Sequence, residues 1–321
     1  MNNLEHPIRV LESVEDIDLY IESLYQRHIK ALGADFEGEA NKHRYGTHLC
    51  LIQFFDGFEL IVIDVILAGI PDSLIALMAD ASVSKIMFST DFDVRLWNQS
   101  SNNVYIRGLI DLQLGAKYLG LGQVSLETTL NHFLAINFQK NKKLQSCDWS
   151  KRPLKEDQLI YASGDVHYLF SLYETINSQL SEAQRKFWAL ENKKMTVHTF
   201  KQNKRPWLSV KGISILSREQ RVLLKHLFLC REQVAQTLNF PTHWVLGSEQ
   251  LIELCQDYNK ELLQKYLPPK AHKFLNDFLS LSKNYKEEWD SQKNKPTGFR
   301  SKNWDGRVEA EKDIASNYDK N

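Results

Sequence analysis

Alternating apolar and polar positions predict strands in the first third of the chain. In residues 31–37, apolar side chains occupy every second position and would share one face of a strand, whereas Asp35 and Glu37 fall on the other face. Two apolar runs follow on either side of Asp56-Gly57, a favoured two-residue hairpin turn. The pattern predicts an antiparallel meander whose first strand carries a pair of carboxylates. On its own, an Asp-x-Glu triplet is more typical of a solvated surface than of a metal site.

Helical periodicity is interleaved with these strands. A short edge strand precedes a helix that Ser13 would cap, and a strand at 85–88 is followed by further helical patterns. Residues 156–173 have apolar side chains at helical spacing, with Tyr161 and Asp165 about one turn apart on another face. Mixed strands and helices of this kind predict an α/β fold.

The second half of the chain differs from the first in charge and in periodicity. Basic residues dominate 179–212, which we interpret as a linker, and apolar residues recur at helical spacing in 213–285. Residues 286–321 are polar, and we expect them to be disordered. The predicted organisation is therefore an α/β domain in residues 1–178, the basic linker, a small all-helical domain and a tail.

Composition narrows the range of partners and compartments. The formal net charge of the 321 residues is zero, so a nucleic acid would have to be bound by local basic patches. The four cysteines are scattered without a Cys-x-x-Cys pair, which argues against structural zinc and against a disulfide framework. No signal-peptide pattern and no apolar run long enough to span a membrane is visible. We therefore expect a cytoplasmic protein without a membrane partner.

A basic loop precedes the helix predicted at 156–173. It contains Lys142, Lys143 and Arg152 together with Trp149. Basic side chains around an aromatic ring suit contacts to a phosphate backbone and to a stacked base. The loop alone is equally typical of a solvated, lysine-rich surface, so both interpretations stay open.

Two further acids occur where a short strand gives way to a helix. Asp93 lies at the start of a helical pattern, close to Asp91, and Asp111 occupies the same kind of junction later in the chain. An acid at such a junction often only caps the helix, and we favour this interpretation for Asp111. The junction also lies at a sheet edge where substrates often bind, so Asp93 is a candidate ligand.

The candidate residues form an ordered set: Asp35 and Glu37, then Asp93, then Tyr161-x-x-x-Asp165. This set resembles the tyrosine-containing branch of the DEDD 3′→5′ exonuclease superfamily. The other branch carries a histidine five residues before the last Asp, and that position here is Ile160. Asp93 fits the second motif better than Asp91 does, because an aliphatic residue follows it at a helix start.

Longer segments are similar to the ribonuclease D family within that superfamily. They are residues 45–54 after the first motif and residues 145–154 before the last. The helical region, which contains Arg231, and residues 207–212 before it resemble an HRDC module, so the resemblance covers residues 8–285. One departure is at 88–90, where the family often has a histidine and this chain has Phe-Ser-Thr.

The resemblance implies an RNase H-like fold with a mixed sheet, followed by a small HRDC-like domain. It implies two divalent cations, and hard oxygen ligands without Cys or His favour Mg²⁺ or Mn²⁺. The implied ligands are Asp35, Glu37, Asp93 and Asp165. Tyr161 would position the attacking water as a hydrogen-bonding partner rather than as a strong base, because its ordinary pKa is about 10.

The implied activity is that of a metal-dependent 3′→5′ exoribonuclease. It would release nucleoside 5′-monophosphates from RNA with an accessible 3′ end, in the processing of tRNA or other structured RNA. We expect no obligate protein partner. Two alternatives stay open: a 3′→5′ DNA exonuclease, and a catalytically weak RNA-binding scaffold.

Overall fold

Six strands form one mixed sheet in the N-terminal half of the chain. The computed structural model describes residues 6–137, 139–201 and 203–293. In chain order the strands are β1 (Ile8–Leu11), β2 (Ala31–Ala40), β3 (Thr47–Phe55), β4 (Leu60–Asp64), β5 (Ser84–Met87) and β6 (Leu109–Asp111). Their order in the sheet is β1-β4-β3-β2-β5-β6. The predicted antiparallel meander is confirmed as β2, β3 and β4, and β1, β5 and β6 join it in parallel.

A first set of α-helices packs around this sheet, and a second set follows it in the chain without further strands. Those that accompany the sheet are α1 (Val14–Gln26), α2 (Val65–Ala68), α3 (Asp72–Ala79), α4 (Asp91–Ser100), α5 (Leu112–Tyr118), α6 (Leu126–Leu134), α7 (Lys142–Gln145), α8 (Glu156–His167), α9 (Leu169–Gln179) and α10 (Glu182–Met195). Those that follow are α11 (Arg218–Leu238), α12 (Thr242–Val245), α13 (Ser248–Gln256), α14 (Lys260–Tyr266) and α15 (Leu275–Gln292). We call strands β1–β6 with α1–α10 the sheet unit, and α11–α15 the helical unit. The predicted α/β fold followed by a helical region is confirmed.

The two faces of the sheet have different roles. One face carries Leu32, Ala34 and Phe36 of β2 and packs against apolar residues of α1, α3 and α4. The opposite face carries Asp35 and Glu37, as the alternation along β2 predicts, and α8 and α9 cover it. The acids therefore lie in the layer between the sheet and α8.

The hairpin turn is longer than the sequence predicts. β3 ends at Phe55 and β4 begins at Leu60, so four residues rather than two connect them. The side chain of Asp56 accepts hydrogen bonds from the backbone N–H groups of Phe58 and Glu59, at 2.9 and 3.0 Å. A carboxylate that satisfies two turn donors stabilises this wider connection.

The predicted basic linker is partly a folded element of the sheet unit. Within 179–212, helix α10 buries Trp188, whose indole nitrogen donates to the backbone carbonyl of Asp111 at 2.8 Å. Asn192, also on α10, accepts from the backbone N–H of the same residue at 3.0 Å. The sequence interpretation missed this helix because its basic residues face outward and only a few apolar residues face inward.

The helical unit has its own apolar core and touches the sheet unit beside β2. The side-chain amide of Asn41, directly after β2, donates to Thr242 Oγ1 at 2.9 Å, and its side-chain oxygen accepts from the Thr242 backbone N–H at 3.2 Å. The hydroxyl of Tyr45 donates to Glu232 at 3.2 Å.

The expected disorder of 286–321 is wrong for residues 286–292, which belong to α15, and residues 294–321 lie outside the described part. Among the described residues, no helix combines the length and apolarity needed to cross a bilayer.

Candidate active site

Strand β2 and helix α8 bring three acids together. Carboxylate oxygens of Asp35, Glu37 and Asp165 all lie within 4.8 Å of one another. The first two share a face of β2 because side chains alternate along a strand, and the third is buried on the side of α8 that covers this face. Gly33 permits the close approach of the helix, since a Cβ atom there would lie 3.1 Å from the Val166 carbonyl oxygen.

Asp93 joins this cluster from the first turn of α4. It is 8% exposed. Burial, together with the negative charges of Asp35 and Asp165, raises its pKa. Asp91 is directed elsewhere: it is half-exposed and pairs with Arg95 and with His198 Nδ1, the latter at 2.8 Å. Of the two acids that compete for the second motif, Asp93 is the one whose pKa is raised by the charges of the cluster.

The four carboxylates oppose each other's ionisation. Burial, together with the charge of Asp165, raises the pKa of Asp35 to about 7. Burial and neighbouring carboxylates also raise the pKa of Glu37 and of Asp93 well above their ordinary values. Burial raises the pKa of Asp165 as well, although the ammonium of Lys140 opposes this shift. Buried like charges at this spacing need a cation between them in order to ionise together.

Lys140 supplies a positive charge at this place. Its Nζ atom lies 2.8 Å from each carboxylate oxygen of Asp165. Burial lowers the pKa of Lys140, but the charges of Asp165 and Asp35 outweigh burial, so the pKa is raised. The ammonium thus takes the place that a metal ion could occupy among hard oxygen donors. These donors suit a divalent ion such as Mg²⁺ or Mn²⁺. The sequence analysis did not single out Lys140, because no local pattern marks it as a site residue.

Tyr161 lies one turn before Asp165 on α8. The Lys140 Nζ atom is 5.8 Å from the centre of its ring. Burial, together with the charges of Asp165 and Glu37, raises the pKa of Tyr161 above its ordinary value. The phenol therefore stays protonated at neutral pH, and its hydroxyl can donate or accept a hydrogen bond but cannot act as a strong base.

The residues expected to bind nucleic acid divide into two groups. Lys142 and Lys143, on α7, are exposed and free to contact phosphates. Trp149 is 2% exposed in an apolar cluster, so no face of its ring is open to a base. Arg152 pairs with the fully buried Asp64 and donates to the Trp149 carbonyl at 2.8 Å. The expectation that Trp149 and Arg152 contact nucleic acid at the surface is therefore corrected. In the structure both side chains hold the loop against the sheet.

Asp111 has the capping role that its position suggested. Its carboxylate is 2% exposed and accepts from the backbone N–H of Gln113 in the first turn of α5. It also accepts from the backbone N–H groups of Ser89 and Thr90, at 3.0 and 2.8 Å. These bonds fix Ser89 and Thr90, in the segment where the ribonuclease D family often has a histidine. Thr90 lies directly before α4, three residues before Asp93.

Gln53 is a second residue of this region that the sequence interpretation missed. It lies on β3 directly opposite Asp35 and is 0% exposed. Neither polar atom of its side chain has a hydrogen-bond partner among the described residues. No spacing or composition signal marks it, because only the strand register brings it beside Asp35.

Comparison with known proteins agrees with this geometry. The model of a family described as 3′-5′ exonuclease matches residues 9–181, more than half of the chain. Ribonuclease D of Jannaschia sp. (strain CCS1) is 29% identical over 218 residues, which are 65% of this chain and 56% of that protein. The exosome complex exonuclease RRP6 of Saccharomyces cerevisiae is 26% identical over 267 residues, 77% of this chain and 36% of that protein. The chain thus spans about half or less of the length of these relatives.

Two solved structures share the fold. The catalytic core of RRP6 from Trypanosoma brucei superposes with a TM-score of 0.78 at 18% identity, over 90% of this chain and 82% of that one. Escherichia coli RNase D, described as an exoribonuclease involved in structured RNA processing, superposes with a TM-score of 0.66 at 20% identity, over 87% and 75% of the two chains. At these identities the likeness concerns the fold, and it confirms the expected RNase H-like exonuclease architecture.

Proposed function

The chain belongs to the 3′-5′ exonuclease family, and from this premise we propose that it is a metal-dependent 3′→5′ exoribonuclease. The observation that carries the proposal is the meeting of Asp35, Glu37 and Asp165 within 4.8 Å. Relatives named ribonuclease D and exosome complex exonuclease support RNA as the substrate class. The products would be nucleoside 5′-monophosphates.

The family depends on divalent metal ions, and the residues of this chain suit them. Asp35, Glu37, Asp93 and Asp165 would hold two ions, for which Mg²⁺ and Mn²⁺ are the candidates. When bound, the ions would supply activation of a water molecule and charge stabilisation at the leaving 3′ oxygen. Lys140 would leave Asp165 as the ions bind, because an ammonium and a metal ion compete for the same oxygens.

The remaining groups would orient the substrate. The neutral hydroxyl of Tyr161 would hold the attacking water by a hydrogen bond. The exposed Lys142 and Lys143 would contact backbone phosphates without reading sequence. The helical unit, joined to the sheet unit through Asn41 and Thr242, would add further phosphate contacts beside the strand that carries the acids. Trimming of tRNA or other structured RNA is the proposed setting, as in the description of the E. coli structure.

A labelled-RNA assay tests the proposal. The purified protein is incubated with a 5′-labelled RNA that has a single-stranded 3′ tail, in Mg²⁺, in Mn²⁺ and in EDTA. We expect a ladder that shortens from the 3′ end only when metal is present. Asp165→Asn should abolish it, while Asp91→Asn, which alters an acid outside the cluster, should retain it.

Three results would contradict the proposal in different ways. Comparable turnover by Asp165→Asn would remove the metal-ligand assignment. Intact RNA in every lane with binding still detectable would favour the scaffold. Faster degradation of a matched DNA than of the RNA would favour the DNA exonuclease.

A further inference from the structure

The layer between the sheet and α8 contains a buried amide without a partner. The Gln53 side chain is 0% exposed, and neither its nitrogen nor its oxygen is hydrogen-bonded within the described residues. Ser163, on α8 and two residues before Asp165, is 1% exposed, and its hydroxyl likewise has no partner there. Of these two residues, Gln53 pairs across the strands with Asp35, a proposed metal ligand.

Strand register directs Gln53 to the acid cluster. In the antiparallel β2–β3 pair, Gln53 faces Asp35, and on its other side it faces Val62 of β4. Facing residues of an antiparallel pair project to the same side of the sheet, with Cβ atoms about 4.5–5.5 Å apart. The amide of a glutamine can therefore reach the carboxylate of Asp35. Its neighbours along β3 on this face, Leu51 and Phe55, are apolar and offer it no hydrogen bond.

Packing alone does not explain a glutamine at this position. A buried amide without a hydrogen bond costs free energy, and an apolar side chain of the same volume avoids that cost. The other inward positions of β3 and β4 around it, Leu51, Phe55, Leu60 and Val62, are all apolar. A functional partner would explain the amide, and the facing carboxylate of Asp35 is a polar group within its reach.

We propose that Gln53 is a positioning residue for the cation site: its side-chain amide donates a hydrogen bond to the carboxylate of Asp35 and holds it in the orientation that binds the metal. The inference rests on the proposed function, because it requires Asp35 to be a ligand. Carboxylates that bind metals are commonly held by such a hydrogen bond from a neighbouring group. The carboxylate of Asp35 lies within 4.8 Å of those of Glu37 and Asp165, so its orientation decides whether all three can share a cation.

The test measures metal affinity apart from catalysis. Mn²⁺ is titrated into wild type, Gln53→Met and Ile52→Met, and free Mn²⁺ is followed by its EPR signal. Ile52 is a matched control, because it is fully buried on the same strand but belongs to the core on the opposite face. We expect Gln53→Met to raise the Mn²⁺ dissociation constant about 10- to 100-fold and Ile52→Met to leave it nearly unchanged.

Two further measurements separate positioning from a merely structural role. In EDTA, Gln53→Met should unfold at the same temperature as wild type or higher, because an unpaired buried amide is removed. In the RNA assay, Gln53→Met should need about 10- to 100-fold more Mn²⁺ for half-maximal rate, and saturating Mn²⁺ should restore most of the rate. A structural role would lower the melting temperature without moving the metal constant.

The outcomes are distinguishable. Failure of wild type to bind Mn²⁺ would overturn the proposed function itself. Wild-type binding with an equal dissociation constant for Gln53→Met would overturn only the role of Gln53. If Gln53→Met does not fold, Gln53→Asn decides, because it keeps the amide but shortens its reach: weaker Mn²⁺ binding supports the proposal and equal binding overturns it.

Discussion

Strand β2 contributes acids to two groups of carboxylates that differ in what surrounds them. At its far end, Glu39 is 1% exposed and lies within ligand distance of His43 and Asp148. Its carboxylate accepts from the backbone N–H of His43 at 3.1 Å, from the His43 ring at 2.9 Å and from the backbone N–H of Trp149 at 3.2 Å. This second group is satisfied entirely by the protein.

Within the described residues, the cluster of Asp35, Glu37, Asp93 and Asp165 has fewer hydrogen-bond donors around it. One ammonium, that of Lys140, bonds to Asp165, and the remaining carboxylates of the cluster face each other. Asp111, also buried near the site, resembles Glu39, because backbone donors surround it. A buried carboxylate is thus structural where N–H groups saturate it, and it is available to an external cation where they do not. The comparison separates two groups that ligand spacing alone would treat alike.

The largest expected effect follows from removing one acid of the unsaturated cluster. Asp35→Asn should lower the exonuclease rate at least about 1000-fold, because a metal ligand contributes several kcal/mol to the barrier. The variant should remain folded in EDTA, since one of several mutually repelling carboxylates is gone. Single-turnover RNA degradation measures the rate, and circular dichroism checks the fold. A rate within about tenfold of wild type would contradict the view that the Asp35 cluster binds metal while the Glu39 group is only structural.

The same cluster should make metal-free stability depend on pH. The pKa of Asp35 is raised from 3.8 to about 7, so the folded protein holds a proton that the unfolded chain releases. The free energy of unfolding in EDTA should therefore fall as pH rises from about 4 to 7, that is, between the pKa of Asp35 in the unfolded chain and its pKa in the folded protein. Urea titrations at several pH values measure it. Asp35→Asn should flatten the profile, and an unchanged slope would contradict this origin.

Breaking the saturated group should instead cost stability. Glu39→Gln replaces a carboxylate that accepts three hydrogen bonds with an amide that matches only part of them, and it should lower the free energy of unfolding by about 1–3 kcal/mol. Urea denaturation measures this loss. Mn²⁺ affinity should stay close to wild type, in contrast to Asp35→Asn. A variant of normal stability but weak metal binding would reverse the assignment of the two groups.

The smallest expected effect concerns Lys140. Lys140→Met removes the ammonium that occupies Asp165, so Mn²⁺ affinity at pH 8 should rise, by up to about tenfold, because no positive charge competes for the oxygens. Lys142→Met, a neighbouring exposed lysine, is the matched control and should leave Mn²⁺ affinity unchanged. Calorimetric titration of both variants tests the difference. Weaker binding in Lys140→Met would mean that the ammonium supports the site instead of competing with the metal.

Much of the architecture could be predicted from the chain alone. Alternation in residues 31–37 placed Asp35 and Glu37 on one face of a strand, and helical spacing placed Tyr161 one turn before Asp165. The antiparallel meander followed from apolar runs and a turn signal. These features are encoded by residues close in sequence, because strand and helix periodicity depend on neighbours one to four positions apart.

Other features were decided only by tertiary structure. Asp91 pairs with His198, which is more than a hundred residues away in the chain, whereas Asp93 is coupled by charge to Asp35 and Asp165. Trp149, expected at the surface, is buried in an apolar cluster, and Arg152 is held to the sheet by its ion pair with Asp64 of β4. Gln53 adjoins Asp35 only through strand register. Sequence thus determined which side chains share a face of one element, and packing between distant elements determined which of them meet, because the buried partners of a charge need not be its neighbours in the chain.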